Sequence, residues 1–383
     1  MNLTKAWAAQ LDDYVIDLAW SPGGRLLAVA SAAGPINLLD GLTGAKLHEL
    51  PGHADGTNAV AFAPATETSM IKDQRSDVGG QTSQAATQTP ETSGLTSDVR
   101  PLTSALLATG GQDGKVRMWD AATGQQTADA DVGRGSWVEH LQWRPGAINS
   151  KSQIPNPNLL AVAAGRRLLF LNPDGSTAHL FKDAPKTLSA LAWHPNAGAI
   201  AAASFGSVVI WDAEGFQVQH EYPYGSAIEN LVWSPDGRWL VAGAQDNAVH
   251  LWLPAEDQEF HMSGYETKVR ELSFSSDGRW LATGGARDAC VWDCTGAGPE
   301  GREPVALPHP DRVCAVAFQR VHDLLATADN SGGVGLWSLI GGESRVATVK
   351  LTAPASNLAW SPDDTMLAIG SQKGGVLVLR VAT

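Results

Sequence analysis

The side chains best suited to chemistry gather toward the C-terminus: Cys290, Cys294, His309 and Cys314. Thiolates and an imidazole are ligands for zinc, but the spacing argues against a shared ion. No Cys-x-x-Cys pair occurs, and residues four apart on one strand stand about 13 Å from each other. The three cysteines are read instead as free, buried, core-filling side chains. Their odd number offers no disulfide framework and fits a reducing compartment. Catalytic patterns are missing too: there is no Gly-x-Ser-x-Gly turn, no phosphate loop ending Gly-Lys-Ser/Thr and no His-Glu-x-x-His. The carboxylates fall largely in turns, as in Asp113-Gly114, Asp174-Gly175, Asp236-Gly237 and Asp277-Gly278, where they read as hairpin chemistry. No catalytic residue, metal or cofactor is therefore expected.

The elements that position these side chains follow from an internal repeat. In the stretch 230–252, Leu231-Val232-Trp233 is a short apolar run and Ser234-Pro235-Asp236-Gly237 a turn. Proline there presets φ and glycine supplies φ > 0, so the chain reverses. Trp239-Leu240-Val241-Ala242 reads as a second strand, and Val249-His250-Leu251-Trp252 as a third. A weaker extended segment, Glu259-Phe260-His261-Met262, follows. Seven other copies place their first-strand aromatic at Trp20, Phe62, Trp143, Trp193, Phe274, Phe318 and Trp360. The eight anchors are separated by 42, 81, 50, 40, 41, 44 and 42 residues. A unit of about 40–45 residues is the spacing of a four-stranded propeller blade. Five of the 14 Trp are such anchors and five more (119, 211, 252, 292, 337) close third strands, so tryptophan use is mostly structural.

These residues resemble the WD40-repeat family. Its Trp-Asp ending stands at Trp119-Asp120, Trp211-Asp212 and Trp292-Asp293, and its Gly-His at Gly52-His53. The resemblance implies a hydrogen-bonded His, Ser/Thr, Asp and Trp set within a blade. Only the second unit matches fully, with His53, Thr109, Asp113 and Trp119; Asp246 and Trp252 survive in the fifth, Thr327 and Trp337 in the seventh. The expected fold is a single all-β WD40-like propeller over residues 1–383, with eight blades of four antiparallel strands. Seven blades is the alternative, with the third copy the one to drop. The last unit lacks a fourth strand, so Lys5-Ala-Trp-Ala-Ala-Gln10 is expected to pair with it and close the ring.

Two insertions interrupt the pattern, both between first and second strands and hence on one face of adjacent blades. Residues 65–104 hold a Ser/Thr/Gln-rich stretch, 16 of 35 residues from Thr66 to Arg100 with no aromatic. Such a segment cannot bury enough apolar surface to offset its ordering entropy and is expected to be flexible. Residues 146–158 form the shorter insertion. The pair reads as tolerated surface additions or, alternatively, as a partner tether or regulatory segment.

Composition narrows the partner class. The chain carries 27 basic and 40 acidic residues, net −13, so repulsion disfavours non-specific binding to nucleic acid or to acidic membranes. No apolar run reaches a membrane-spanning length, and the first residues lack a secretory layout. A soluble, cytoplasmic monomer is expected. In the geometry the resemblance implies, the loops entering the first strands ring the channel mouth, opposite the insertions. Lys268, Arg270 and Arg312 gather there on the sixth and seventh blades, with Tyr14 and Trp137 on the first and third. Arginine and aromatic residues together are the composition of binding hot spots. The expected function is a non-catalytic scaffold that holds proteins or peptides at this mouth, the basic arc accepting an acidic group. The alternatives are an accessory protein with a small molecule or metal in the channel, and an enzyme on a propeller.

Overall fold

The computed structural model describes residues 2–65, 105–146, 156, 158–339 and 344–382. Their regular structure is strand throughout, arranged as eight sheets of four antiparallel strands. Each sheet is one blade, so the eight-bladed reading holds. The third copy is a full blade of Val138–Trp143, Leu160–Ala164, Arg167–Leu171 and Thr177–Leu180.

The ring closes as the sequence implies. Asn2–Gln10 pairs antiparallel with Gly375–Ala382, Leu3 opposite Val381 and Gln10 opposite Gly375. Trp7 sits in this strand, buried, and its indole N–H donates to the Gly41 carbonyl of the first blade at 2.9 Å. That bond crosses the seam between first and last blades.

The apolar core is divided rather than central. Eight clusters of buried side chains each bridge two neighbouring blades. Trp7, Val15, Trp20, Met366 and Val376 join the eighth blade to the first; Val291, Leu307, Val313 and Trp337 join the sixth to the seventh. Both faces of each blade are therefore covered, and its second strand reads as a continuous apolar run such as Leu26–Ser31. The outer edges are short or interrupted: the fourth strand of the sixth blade is Val305–Leu307, and that of the fourth blade contains Pro223. Such edges resist pairing with other chains.

First-to-second-strand turns are locked by their own side chains. Ser21, Ser234, Ser275 and Ser361 each accept from a backbone N–H five residues on, at 2.9 Å. The strands flanking the long insertion still pair, Phe62 opposite Leu107, as do those flanking the shorter one, Trp143 opposite Leu160. The flexibility expected of 65–104, and most of 146–158, lie outside the described residues.

Candidate functional site

Antiparallel order puts the loops entering first strands and the second-to-third-strand turns at one end of every blade. The hydrogen-bonded blade sets sit at this end. In the second blade Trp119 Nε1 donates to Thr109 Oγ1 at 3.0 Å, and Thr109 lies 2.9 Å from His53 Nε2. His53 Nδ1 is 2.8 Å from Asp113. Every group is satisfied when the imidazole is neutral and carries its proton on Nδ1. Burial holds His53 below its ordinary value, against the pull of Asp113. Burial alone would raise Asp113, but the His53 bond and charge, the Lys115 N–H and Arg117 outweigh it and hold the carboxyl low.

The seventh blade carries the same set, which corrects the sequence reading. His309 Nε2 is 2.7 Å from Thr327 Oγ1, His309 Nδ1 is 3.0 Å from Asp329, and Trp337 Nε1 donates to Thr327 at 2.7 Å. Asp329 stands two residues after its threonine, where Asp113 stands four after Thr109. The repeat template misses it, yet the carboxylate reaches the same imidazole nitrogen. His309 is thus a structural histidine. In the sixth blade Tyr265 replaces it: the Trp292 indole donates to Tyr265 Oη at 3.0 Å, and Tyr265 pairs with Thr283 at 3.0 Å.

Among the described residues, no three His, Cys, Asp or Glu come together to hold a metal. The cysteines are free, but only Cys294 is fully buried; Cys290 and Cys314 are half-buried. Burial pushes Cys290 up to about 11 and Cys294 and Cys314 to about 12, so all three are thiols near neutrality. One motif escaped the sequence reading: Gly296-Ala-Gly298-Pro-Glu-Gly301 has the glycine spacing of a dinucleotide turn. It joins Ala289–Asp293 to Val305–Leu307 with no helix behind it, so the helix N-terminus that receives a pyrophosphate is missing.

The first strands start with a shared irregularity. In seven blades the pairing slips by one residue, at Ile16, Asn58, Glu139, Ser189, Glu229, Cys314 and Ser356. A bulge re-aims the side chain it frees. In the sixth blade the first strand starts later, at Leu272, and Arg270 holds the corresponding position.

Of the five mouth residues, Tyr14 is 36% and Trp137 51% exposed. Lys268 Nζ pairs with Glu229 of the fifth blade at 3.1 Å. Arg270 and Arg312 are exposed and have no ion-pair partner among the described residues. The arginines lie on neighbouring blades; Trp137 precedes the first strand of the third blade and Tyr14 that of the first. Several acidic and basic groups nearby carry shifts that spacing did not reveal. Burial pushes Asp17 up to about 6, although the N–H groups of Val60 and Leu18 donate to it at 3.0 and 2.8 Å. Burial, then the charge of Arg270, pushes His140 down to about 4. Burial also raises Glu139 and Glu271.

Fold and blade chemistry together define an eight-bladed β-propeller built from degenerate tryptophan-anchored repeats. Comparison with known proteins agrees. The WD domain, G-beta repeat model matches residues 100–120, 217–252 and 257–293, and the anaphase-promoting complex subunit 4 WD40 domain model matches residues 1–65. Telomerase protein component 1 of Mus musculus is 24% identical over 96% of this chain, which spans only 10% of that relative's length. Anaphase-promoting complex subunit cdc20 of Dictyostelium discoideum is 29% identical over 43% of the chain and 32% of its own. The computationally designed Ika8 protein aligns with a TM-score of 0.70 at 19% identity, covering 97% of this chain and 98% of that one. That likeness shows the fold alone. The chain thus carries WD40-type repeats of the kind those models describe.

Proposed function

We propose that this propeller is a non-catalytic scaffold whose channel-mouth face holds a protein or peptide partner. The observation that carries the reading is the pair Arg270 and Arg312: exposed cations on adjacent blades of a chain with net charge −13, each acting on the charge of half-buried Glu271 but making no direct ion pair among the described residues. A desolvated arginine satisfied by a partner's carboxylate is a recurrent source of binding energy. Exposed Trp137 and Tyr14 on the same face supply apolar area. Lys268 contributes less, because Glu229 already neutralises it. Likeness to a subunit of the anaphase-promoting complex and to a telomerase component supports membership of a larger assembly.

The test is cross-linking capture from the native cell with wild-type and Arg270→Glu/Arg312→Glu baits. Both side chains are exposed, so the swap should leave the fold intact. A partner recovered by wild type and lost with the swap is expected. Equal recovery by both would remove the arginines from the site.

A further inference from the structure

The same face carries a second concentration of positive charge, away from the mouth arginines. Exposed Arg134 and Trp137 stand in the loop entering the third blade, and exposed Arg166 in that blade's second-to-third-strand turn. Lys182 and Lys186 project from the loop entering the fourth blade. Phe205, 54% exposed, caps that blade's second-to-third-strand turn.

Backbone pairing makes these segments contiguous. Val138 pairs with Ala164, so Trp137 and Gly165 lie just beyond the same strand ends. The Leu188 N–H donates to the Gly165 carbonyl at 2.7 Å, and the Ala184 N–H to that of Arg166 at 2.8 Å. Arg166 Nε returns a bond to the Ala184 carbonyl at 2.6 Å. Leu188 pairs with Ser204, which sets Phe205 beside the end of the lysine loop. The result is an arc with four cations between two exposed aromatic rings. None of the four has an ion-pair partner among the described residues, and Asp183 is the one acid in the loop 182–187.

We propose that this arc on the rim of the third and fourth blades is a separate docking surface for an acidic peptide segment of a partner protein, one that intersperses carboxylates with aromatic or leucine side chains. Charge complementarity selects the occupant. Four unpaired cations in a strongly acidic protein favour a carboxylate-rich chain, and the flanking rings favour apolar side chains between those carboxylates. The surface shares Trp137 with the channel-mouth reading but not its arginines, so the Lys182/Lys186 and Arg270/Arg312 swaps tell the two apart.

The probe is a short fluorescein-labelled peptide alternating glutamate with leucine and phenylalanine, read by fluorescence anisotropy on the full chain at low salt. The control has glutamine for each glutamate. Binding of the acidic peptide alone, weakened about tenfold by Lys182→Glu/Lys186→Glu and comparably by Trp137→Ala, is the expected result. Arg270→Glu/Arg312→Glu is expected to change it by less than about threefold. Equal binding of the glutamine control, loss only with the Arg270/Arg312 swap, or capture of labelled oligouridine in place of the peptide would each overturn the proposal. No binding of the acidic peptide by wild type would overturn it as well, leaving the mouth reading to its own capture experiment.

Discussion

In the first, third, fourth, fifth and eighth blades the first-strand anchor is tryptophan, and its indole reaches into the preceding blade. Trp20, Trp143, Trp193, Trp233 and Trp360 donate to the carbonyls of Ala359, Ala61, Gln142, Ala192 and Ala317 at 2.9–3.1 Å. In the second, sixth and seventh blades the anchor is Phe62, Phe274 or Phe318, which has no such donor. Those three blades carry the internal sets around Thr109, Thr283 and Thr327. At the matching second-strand position the tryptophan-anchored blades have Val29, Val162, Ala202, Ala242 and Ile369. One class of blade is tied to its neighbour through the anchor, the other is braced within itself. Other bonds cross all three phenylalanine seams: the Val60 N–H donates to Asp17, Asn230 Nδ2 to the Arg270 carbonyl at 3.0 Å, and the Phe318 N–H to Ser273 Oγ at 2.9 Å.

The fifth blade shows the cost of mixing the two. Its anchor Trp233 is bonded outward, and it keeps half of an internal set, Tyr224 donating to Asp246 at 2.6 Å. With Ala242 where a threonine would sit, buried Trp252 Nε1 has no hydrogen-bond partner, nor have the ring nitrogens of His250, although Glu259 lies 3.5 Å from Nδ1. An unpaired buried donor costs more than a bonded one contributes. The difference teaches that a blade needs a complete solution of either kind.

The sharpest way to stress the outward ties is at the closing seam. Trp7→Ala removes the indole bond to Gly41 and a buried ring, and is expected to cost about 3–5 kcal/mol in urea unfolding. A loss below about 1 kcal/mol would show that closure does not rest there. Inside a braced blade, Thr327→Val leaves Trp337 and His309 without their shared partner, at an expected cost of about 2–3 kcal/mol. The matching change in a tied blade, Trp360→Phe, breaks one bond and should cost about 1 kcal/mol. Equal losses would erase the distinction. In the mixed blade, Ala242→Thr should give Trp252 a partner and stabilise by about 1 kcal/mol, whereas destabilisation would mean that the added atoms overpack the seam.

The smallest effect is a pH dependence of the braced blades. His53 and His309 are held below 6.5 by burial, so the unfolded chain binds more protons as pH falls below that value. Their contribution is full above about pH 6.5 and is lost as pH falls toward their folded values. Replacing both by Gln should flatten the decline in unfolding midpoint over that window; an unchanged slope would assign the decline to other groups. Asp17 runs opposite: with its carboxyl raised to about 6, its contribution is present below 3.8 and lost as pH rises through 6.

The ring was readable because the anchor spacing recurs and a serine follows the anchor in four copies, at Ser21, Ser234, Ser275 and Ser361. Closure was readable too, though the strand begins at Asn2 rather than Lys5. The internal sets were only partly legible. Asp329 reaches His309 from an earlier position, and Tyr265 supplies an oxygen where a template looks for an imidazole. Hydrogen-bond geometry constrains where an atom lies, and different residues can bring an atom there. Phe205 was invisible for another reason: it lies in a second-to-third-strand turn, where no repeated residue marks which side chains face solvent.

The most direct measurement is hydroxyl-radical footprinting of the chain alone and in the complex captured from its native cell. Protection should fall on Trp137 and Tyr14, with Leu42 and Val321 at the opposite end of the blades unchanged. Protection of Leu42 and Val321, with Trp137 and Tyr14 still reactive, would contradict partner binding at the channel-mouth face.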